Sequence, residues 1–188
     1  MVLELSEGVC GEYCGKLLAD FGATVIKLEK PGCGSPTRRL GPFVPGAPAP
    51  ESSGLFAYLN TNKRSVALDV TTIAGAAALA ELLKHVDVVI DDHPAGWLKV
   101  VGLDPGSIGE SQPRLVLCSI TAFGQSPPEE RLHAEDLTVF HSSGWGYHTP
   151  SAADASQPPL KGPGRFLPSY EAGLDAALCI VAAVYERD

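Results

Sequence analysis

Several signatures are missing from this chain of 188 residues, and each absence removes a class of function. No run of eighteen apolar residues could cross a bilayer, and the opening "MVLELSEG" has no basic segment leading into an apolar stretch and a small-residue cleavage site. The expectation is a soluble, cytoplasmic protein that uses no membrane. The net charge of −8 leaves no basic face to neutralise phosphates, which argues against nucleic acid as a partner. The five cysteines (Cys10, Cys14, Cys33, Cys118 and Cys179) are odd in number and scattered, and neither a disulfide framework nor a zinc spacing emerges from them. They read as reduced structural residues, and no metal is expected. The first strand runs into "SEGVCGEY", which lacks the glycine pattern that brings a pyrophosphate onto a helix N-terminus, so a nicotinamide dehydrogenase is a poor reading. A P-loop, a G-x-S-x-G elbow, internal repeats and a low-complexity tail are absent too.

What is present alternates between two periods. "VLEL" (2–5), "TVIKLE" (24–29), "RSVALDV" (64–70), "VDVVIDD" (86–92) and "RLVLCSI" (114–120) are short, β-branched runs that suit buried parallel strands. Between them, "EYCGKLLADFG" (12–22) closes on Gly22, and "TTIAGAAALAELLKH" (71–85) has Thr71 or Thr72 as its N-cap. The order predicts an α/β, Rossmann-like open parallel sheet with helices on both faces and ligands gathered beyond the carboxyl ends of the strands. Residues 31–54 and 124–134 are Gly- and Pro-rich loops longer than a connection requires, and they belong on that ligand side.

A fixed order of phrases is more specific than any of these periods. "LLADFGATVIKLEKPG", "NKRSVALD", "DVVIDDHPAGWLKVVGLD", "PRLVLCSITAFGQ" and "YEAGLDAALCIVAAVYER" together resemble the family III CoA-transferases, which include formyl-CoA and carnitine-CoA transferases and the α-methylacyl-CoA racemases. The resemblance spans essentially the whole chain. It implies that residues 1–188 are the N-terminal lobe of the large domain, without the smaller second domain. It also implies an interlocked homodimer, or association with a partner chain carrying the missing part.

The implied ligand is coenzyme A or an acyl-CoA, used as a substrate together with a carboxylic acid. By the same resemblance, Val9 and Cys10 after the first strand, Lys30 after the second, the stretch from Leu68 to Thr71, and the turn Asp92, His93 and Pro94 fall where the family lines its CoA site. Read alone, Lys30 is equally a solvated strand-end lysine and His93 a surface histidine. Arg38 and Arg39 could serve a phosphate or simply keep their loop soluble. Val100 stands where the family commonly has an arginine, with Lys99 beside it.

A second cluster lies in "RLHAEDLTVFHSSGWGY". The resemblance puts a basic group at His133 and an acidic one at Asp136, while Glu135 and Asp136 occupy the place of the racemases' histidine–aspartate acid/base pair. The plain alternative is that Glu135 and Asp136 decorate a helix N-terminus. In the transferases an aspartate four residues before a glycine attacks the thioester to form a mixed anhydride. Here that glycine is Gly173, and Ser169 holds the nucleophile's place. A serine needs an adjacent base and yields only an ester, so the reading of "LPSYEAG" is that Ser169 caps the last helix and Glu171, its second residue, points elsewhere. The implied activity is CoA transfer between a thioester and a free carboxylate. The alternatives are a non-catalytic CoA-binding or structural subunit and, more weakly, an acyl-CoA racemase.

Overall fold

A sheet whose two faces are both covered asks for apolar residues at every position, and the strands of this chain largely supply them. The computed structural model describes residues 1–48, 50–126, 134–148, 156–160 and 162–188. Its strands are β1 (Val2–Glu4), β2 (Val25–Glu29), β3 (Arg64–Ala67), β4 (Val88–Asp91) and β5 (Val116–Ser119), all parallel, in the order β3-β2-β1-β4-β5. The period-2 alternation divides the core in two. Leu3, Leu28 and Val89 face α3 (Ile73–Leu83), α4 (Trp97–Val100) and α5 (Pro105–Ser111), while Val2, Val25, Val88 and Ile90 face α1 (Val9–Asp20) and α8 (Leu167–Arg187). The remaining helices among the described residues are α2 (Gly54–Leu59), α6 (Asp136–Ser142) and α7 (Trp145–His148).

Several expected elements shift. β3 ends at Ala67 and is exposed along its length, because it is an edge strand and not the buried strand that 64–70 suggested. α1 starts at Val9, three residues before the expected Glu12, with Gly8 as its N-cap. Thr72, not Thr71, caps α3, accepting from the Gly75 amide at 3.0 Å. The long loop 31–54 carries a 3-10 turn at Pro36–Arg39, fastened by Arg38 to Glu29 and Glu51. Arg38 is therefore committed inside the lobe and is not a free phosphate ligand, whereas Arg39 is exposed.

The last helix departs most from the reading. α8 begins at Leu167, has Phe166 as its N-cap with no side-chain capping bond, and carries Ser169 as its third residue. Ser169 is therefore not the cap, since the proline thought to precede the helix already lies within it. Glu171 becomes the fifth residue and is exposed. Gly173, Ala176, Ala177 and Ile180 repeat at helical spacing and bury one stripe of α8. At Gly173 a Cβ would stand 2.5 Å from the Cys10 carbonyl of α1, so only glycine lets the two helices approach this closely. By length and composition α8 could cross a membrane, with a mean hydropathy of 1.4, although no continuous apolar run revealed it. In the fold it lies along α1, leaving Leu174, Leu178, Val181 and Tyr185 exposed on its other side.

A candidate acyl-CoA site at the switch point of the sheet

β1 and β4 are neighbours, but the chain leaves their carboxyl ends in opposite directions, toward β2 and toward β5. Such a switch point leaves a crevice that no crossover covers. A cavity of about 350 Å³ opens there, walled by Cys10, the Asp92–Pro94 turn, the loop after β5, and by Asp136 and Ser169 from α6 and α8.

The turn after β4 is shaped by its two aspartates. Asp92 Oδ1 accepts from the Glu7 amide at 2.9 Å, and Oδ2 accepts from the amides of Gly8 at 2.9 Å and Gly11 at 3.1 Å. It therefore clamps the N-terminus of α1, where a negative charge is favoured. Gly11 is required by this clamp, because a Cβ would collide with Ser6 Oγ. Cys10 Sγ is a further donor to Asp92 at 3.5 Å, and burial, reinforced by that carboxylate, pushes the thiol far above its ordinary value. Cys10 is an inert wall. Asp91 holds the imidazole of His93, Oδ1 to Nδ1 at 2.7 Å, and the ring stacks flat on Trp97 with centroids 3.6 Å apart. The sequence reading overlooked Trp97 and Asp91, although His93 and Trp97 stand four residues apart in "DDHPAGW".

Opposite this turn lies the closest polar contact between α6 and α8. The Ser169 hydroxyl donates to Asp136 Oδ1 at 2.8 Å. Asp136 Oδ2 is buried and has no hydrogen-bond partner among the described residues. Burial pushes the Asp136 carboxyl above its ordinary value, against the Ser169 bond, and the nearby Glu135 charge adds to the push. The spacing from Ser169 to Gly173 has a physical sense here. Residues four apart share a helix face, so the glycine that brings α8 against α1 also sets Ser169 over the start of α1.

Two more cavities continue the groove. One of about 240 Å³ gathers Lys30, Leu68, Thr71, His93 and Trp97 beyond β2 and β3, with Lys30 Nζ 3.8 Å from Asp69. Another of about 450 Å³ is walled by Val9, Glu135, Asp136, Arg165 and Ser169. The first and the Lys30 cavities share His93, and the first and the Val9 cavities share Asp136 and Ser169, so the three lie side by side along the carboxyl edge.

The structure thus brings Lys30, Leu68, Thr71, Asp92, His93, Pro94 and Cys10 into one groove with Asp136 and Ser169, and places Val9 at its far end. His133 lies outside the described residues. Glu135 is the exposed N-cap residue of α6 and reaches only the far cavity, so Glu135 and Asp136 do not form an acid/base pair at the first. Lys99 and Val100 are exposed at the end of α4. Among the described residues no group of three or more His, Cys, Asp or Glu could hold a metal ion.

Known proteins share this architecture. The profile of CoA-transferase family III matches residues 1–188. The chain is 38% identical over 146 residues to a succinate–glutarate CoA-transferase of Agrobacterium fabrum, covering 77% of this chain and 36% of that protein. It is 35% identical over 186 residues to a formyl-CoA:oxalate CoA-transferase of Rhodopseudomonas palustris, covering 99% of this chain and 42% of that one. A crystal structure of a CAIB/BAIF family protein from Brucella suis superposes with a TM-score of 0.83 at 32% identity, over 99% of this chain and 48% of that chain. The chain spans less than half the length of these relatives.

Proposed function

The chain belongs to CoA-transferase family III, and from that premise we propose that the protein it forms moves CoA between an acyl-CoA thioester and a free carboxylate, with the thioester held at the switch point of this lobe. The observation that carries the reading is the continuity of the groove, from Lys30 past the His93–Trp97 stack to Asp136 and Ser169. CoA is a long ligand with a flat base, a phosphate cluster and a thiol at its far end. A groove with one exposed lysine near one end and a carboxylate near the other suits that polarity. Lys30 and the edge around Leu68 and Thr71 would receive the nucleotide part, and the acyl group would reach Asp136. The apolar stripe left on α8 supports association with a further apolar surface, in a homodimer or with a partner chain. The five free cysteines fit a reducing compartment, and we place the protein in the cytoplasm.

Ser169 favours a second reading, a CoA-binding subunit without turnover, because a hydroxyl stands where the family's nucleophile is expected. One experiment separates the two. The full-length protein is titrated with CoA by calorimetry and assayed for exchange between succinyl-CoA and glutarate and between formyl-CoA and oxalate. Exchange by either pair supports the transferase, whereas CoA binding with no exchange supports the silent subunit. Lys30→Ala should weaken CoA binding a few-fold and flatten its salt dependence, as expected when a solvent-exposed cation stops facing phosphate.

A further inference from the structure

If CoA is transferred through an enzyme-bound anhydride, as the resemblance implies, a carboxylate of the chain must carry the acyl group. A serine cannot do so productively, because an acyl ester is too stable for an incoming carboxylate to displace the serine oxygen and regenerate an anhydride. Among the described residues, the first cavity is lined by two carboxylates, Asp92 and Asp136. Both oxygens of Asp92 are taken by the α1 amides and by Cys10. Asp136 has one oxygen engaged by Ser169 and the other with no partner among the described residues, and it sits one hydrogen bond, 2.8 Å, from the side chain that replaces the family's nucleophile.

We propose that the nucleophile of this protein is the Asp136 carboxylate, displaced from α8 to α6, and that Ser169 is its positioning residue. The inference rests on the transferase reading above. A carboxylate oxygen of Asp136 adds to the thioester carbonyl carbon, the C–S bond breaks, and the electron pair leaves with the CoA thiolate. One anion is consumed and one released, so no proton need move. The thiolate then adds to the Asp136 carboxyl carbon of the mixed anhydride, freeing the donor acid and leaving Asp136 as a CoA thioester. The acceptor carboxylate runs the same two steps in reverse. Throughout, the Ser169 hydroxyl holds the orientation of the carboxyl group that α6 alone does not fix.

The test uses the full-length protein with succinyl-CoA and no acceptor, quenched with hydroxylamine, which leaves a hydroxamate on the residue that carried CoA. Peptide mapping should find the label on Asp136. Asp136→Asn should lose label and lower succinyl-CoA:glutarate exchange more than about a thousandfold while still binding CoA by calorimetry, and Ser169→Ala should lower exchange about ten- to a hundredfold with the label still on Asp136. The double variant Asp136→Asn, Ser169→Asp, which returns the carboxylate to α8, should regain exchange and carry the label at residue 169. An acyl ester on Ser169 in the unaltered protein, or Asp136→Asn exchanging within about tenfold of it, overturns the assignment and leaves the transferase reading standing. CoA binding with neither exchange nor label in the unaltered protein removes both. The labelling of the unaltered protein decides the matter even if a variant fails to fold.

Discussion

Two polar clusters flank the start of α1, and they are built on opposite terms. In the first, Lys27 Nζ lies 3.1 Å from Glu4 and 3.0 Å from Glu12 and donates to the Ser6 carbonyl at 2.7 Å. Lys63 Nζ sits 2.7 Å from Glu4 Oε2 and donates to the Glu12 carbonyl at 2.7 Å. Glu12 takes further donors from Ser35, Thr37 and Asn60. Two carboxylates and two ammonium groups cancel, and nearly every valence is used. The second cluster is Asp136 with Ser169, a carboxylate held, among the described residues, by one donor and facing a cavity. Burying charge is costly in both places. In the first the ion pairs and hydrogen bonds offset part of the cost and tie β1, β2 and α1 together, although burial still raises the Glu4 carboxyl and lowers the Lys63 ammonium. In the second it is left partly uncompensated, because the buried Oδ2 of Asp136 has no hydrogen-bond partner among the described residues.

Removing one member from the saturated cluster should therefore have the largest effect on stability. Burial alone would lower the pKa of Lys27, but the charges of Glu4 and Glu12 outweigh it and hold the ammonium well above its ordinary value. Lys27→Met leaves two buried carboxylates sharing Lys63, and denaturant unfolding should show a loss of about 3–5 kcal/mol. Asp136→Asn in the same assay should cost less than about 1 kcal/mol, because its carboxylate is already disfavoured by burial. Equal losses would erase the contrast.

Acid should separate the regions next. Glu29, at the end of β2, is buried, yet the hydrogen bonds from Arg38, Ser65 and the Ser35 amide outweigh that burial and hold its pKa at about 2 instead of 4.5. Its contribution is complete above about 4.5 and disappears as the pH falls toward about 2, a loss on the order of 3 kcal/mol. Asp136 has the opposite sign. Its raised pKa means that the folded state gains from protonation, so acid should not weaken the α6–α8 contact. Unfolding midpoints followed through this window should fall, and Glu29→Gln should flatten the slope while Asp136→Asn should steepen it slightly.

The two regions also differ in how much of them could be read from the chain. The strands and their parallel order follow from β-branched runs separated by helical periods, and the groove follows from the rule that ligands gather at strand carboxyl ends. That rule explains why Lys30, Leu68, Thr71 and His93, scattered over 64 positions, meet in one place. The saturated cluster has a trace in the sequence. Glu4 and Lys27 interrupt apolar strands, and their register opposes them directly. Ser169 looks like a cap because Pro-Ser before an apolar run is a local capping pattern, whereas its bond to Asp136 crosses 33 residues and has no local signature. The start of α1 has no local signature for a similar reason, since the carboxylate that binds its first amides comes from Asp92, in the turn after β4.

The close approach of α8 to α1 positions the open cluster and leaves the saturated one to its own contacts. Gly173→Ala places a methyl group against the Cys10 carbonyl and the Cys14 amide, both backbone atoms that cannot step aside, and should cost about 1–3 kcal/mol. Because Ser169 lies one turn away on the same face, the displaced helix should also lower CoA exchange, while the stability of a Lys27→Met background should fall by the same increment as the wild type. A larger increment in the double variant would mean that the clusters share one packing unit and are not independent.

The smallest expected change in stability is the most informative about the open cluster. Ser169→Ala removes one hydrogen bond to a half-buried carboxylate and no helix cap, so the loss should be about 1 kcal/mol or less. Its signature lies in pH. The Ser169 hydroxyl works against burial and lowers the pKa of Asp136, so its removal must raise that pKa further. If exchange requires the ionised Asp136, the acid limb of the rate profile should move to higher pH in Ser169→Ala, and should return in Ser169→Thr, which keeps a hydroxyl at the same reach. A serine that only packed α8 would lower the whole profile without moving its limb, and a serine that itself took the acyl group would lose all turnover in Ser169→Ala. The position of the acid limb thus separates a positioning hydroxyl from a structural one, and the survival of turnover separates it from a nucleophile.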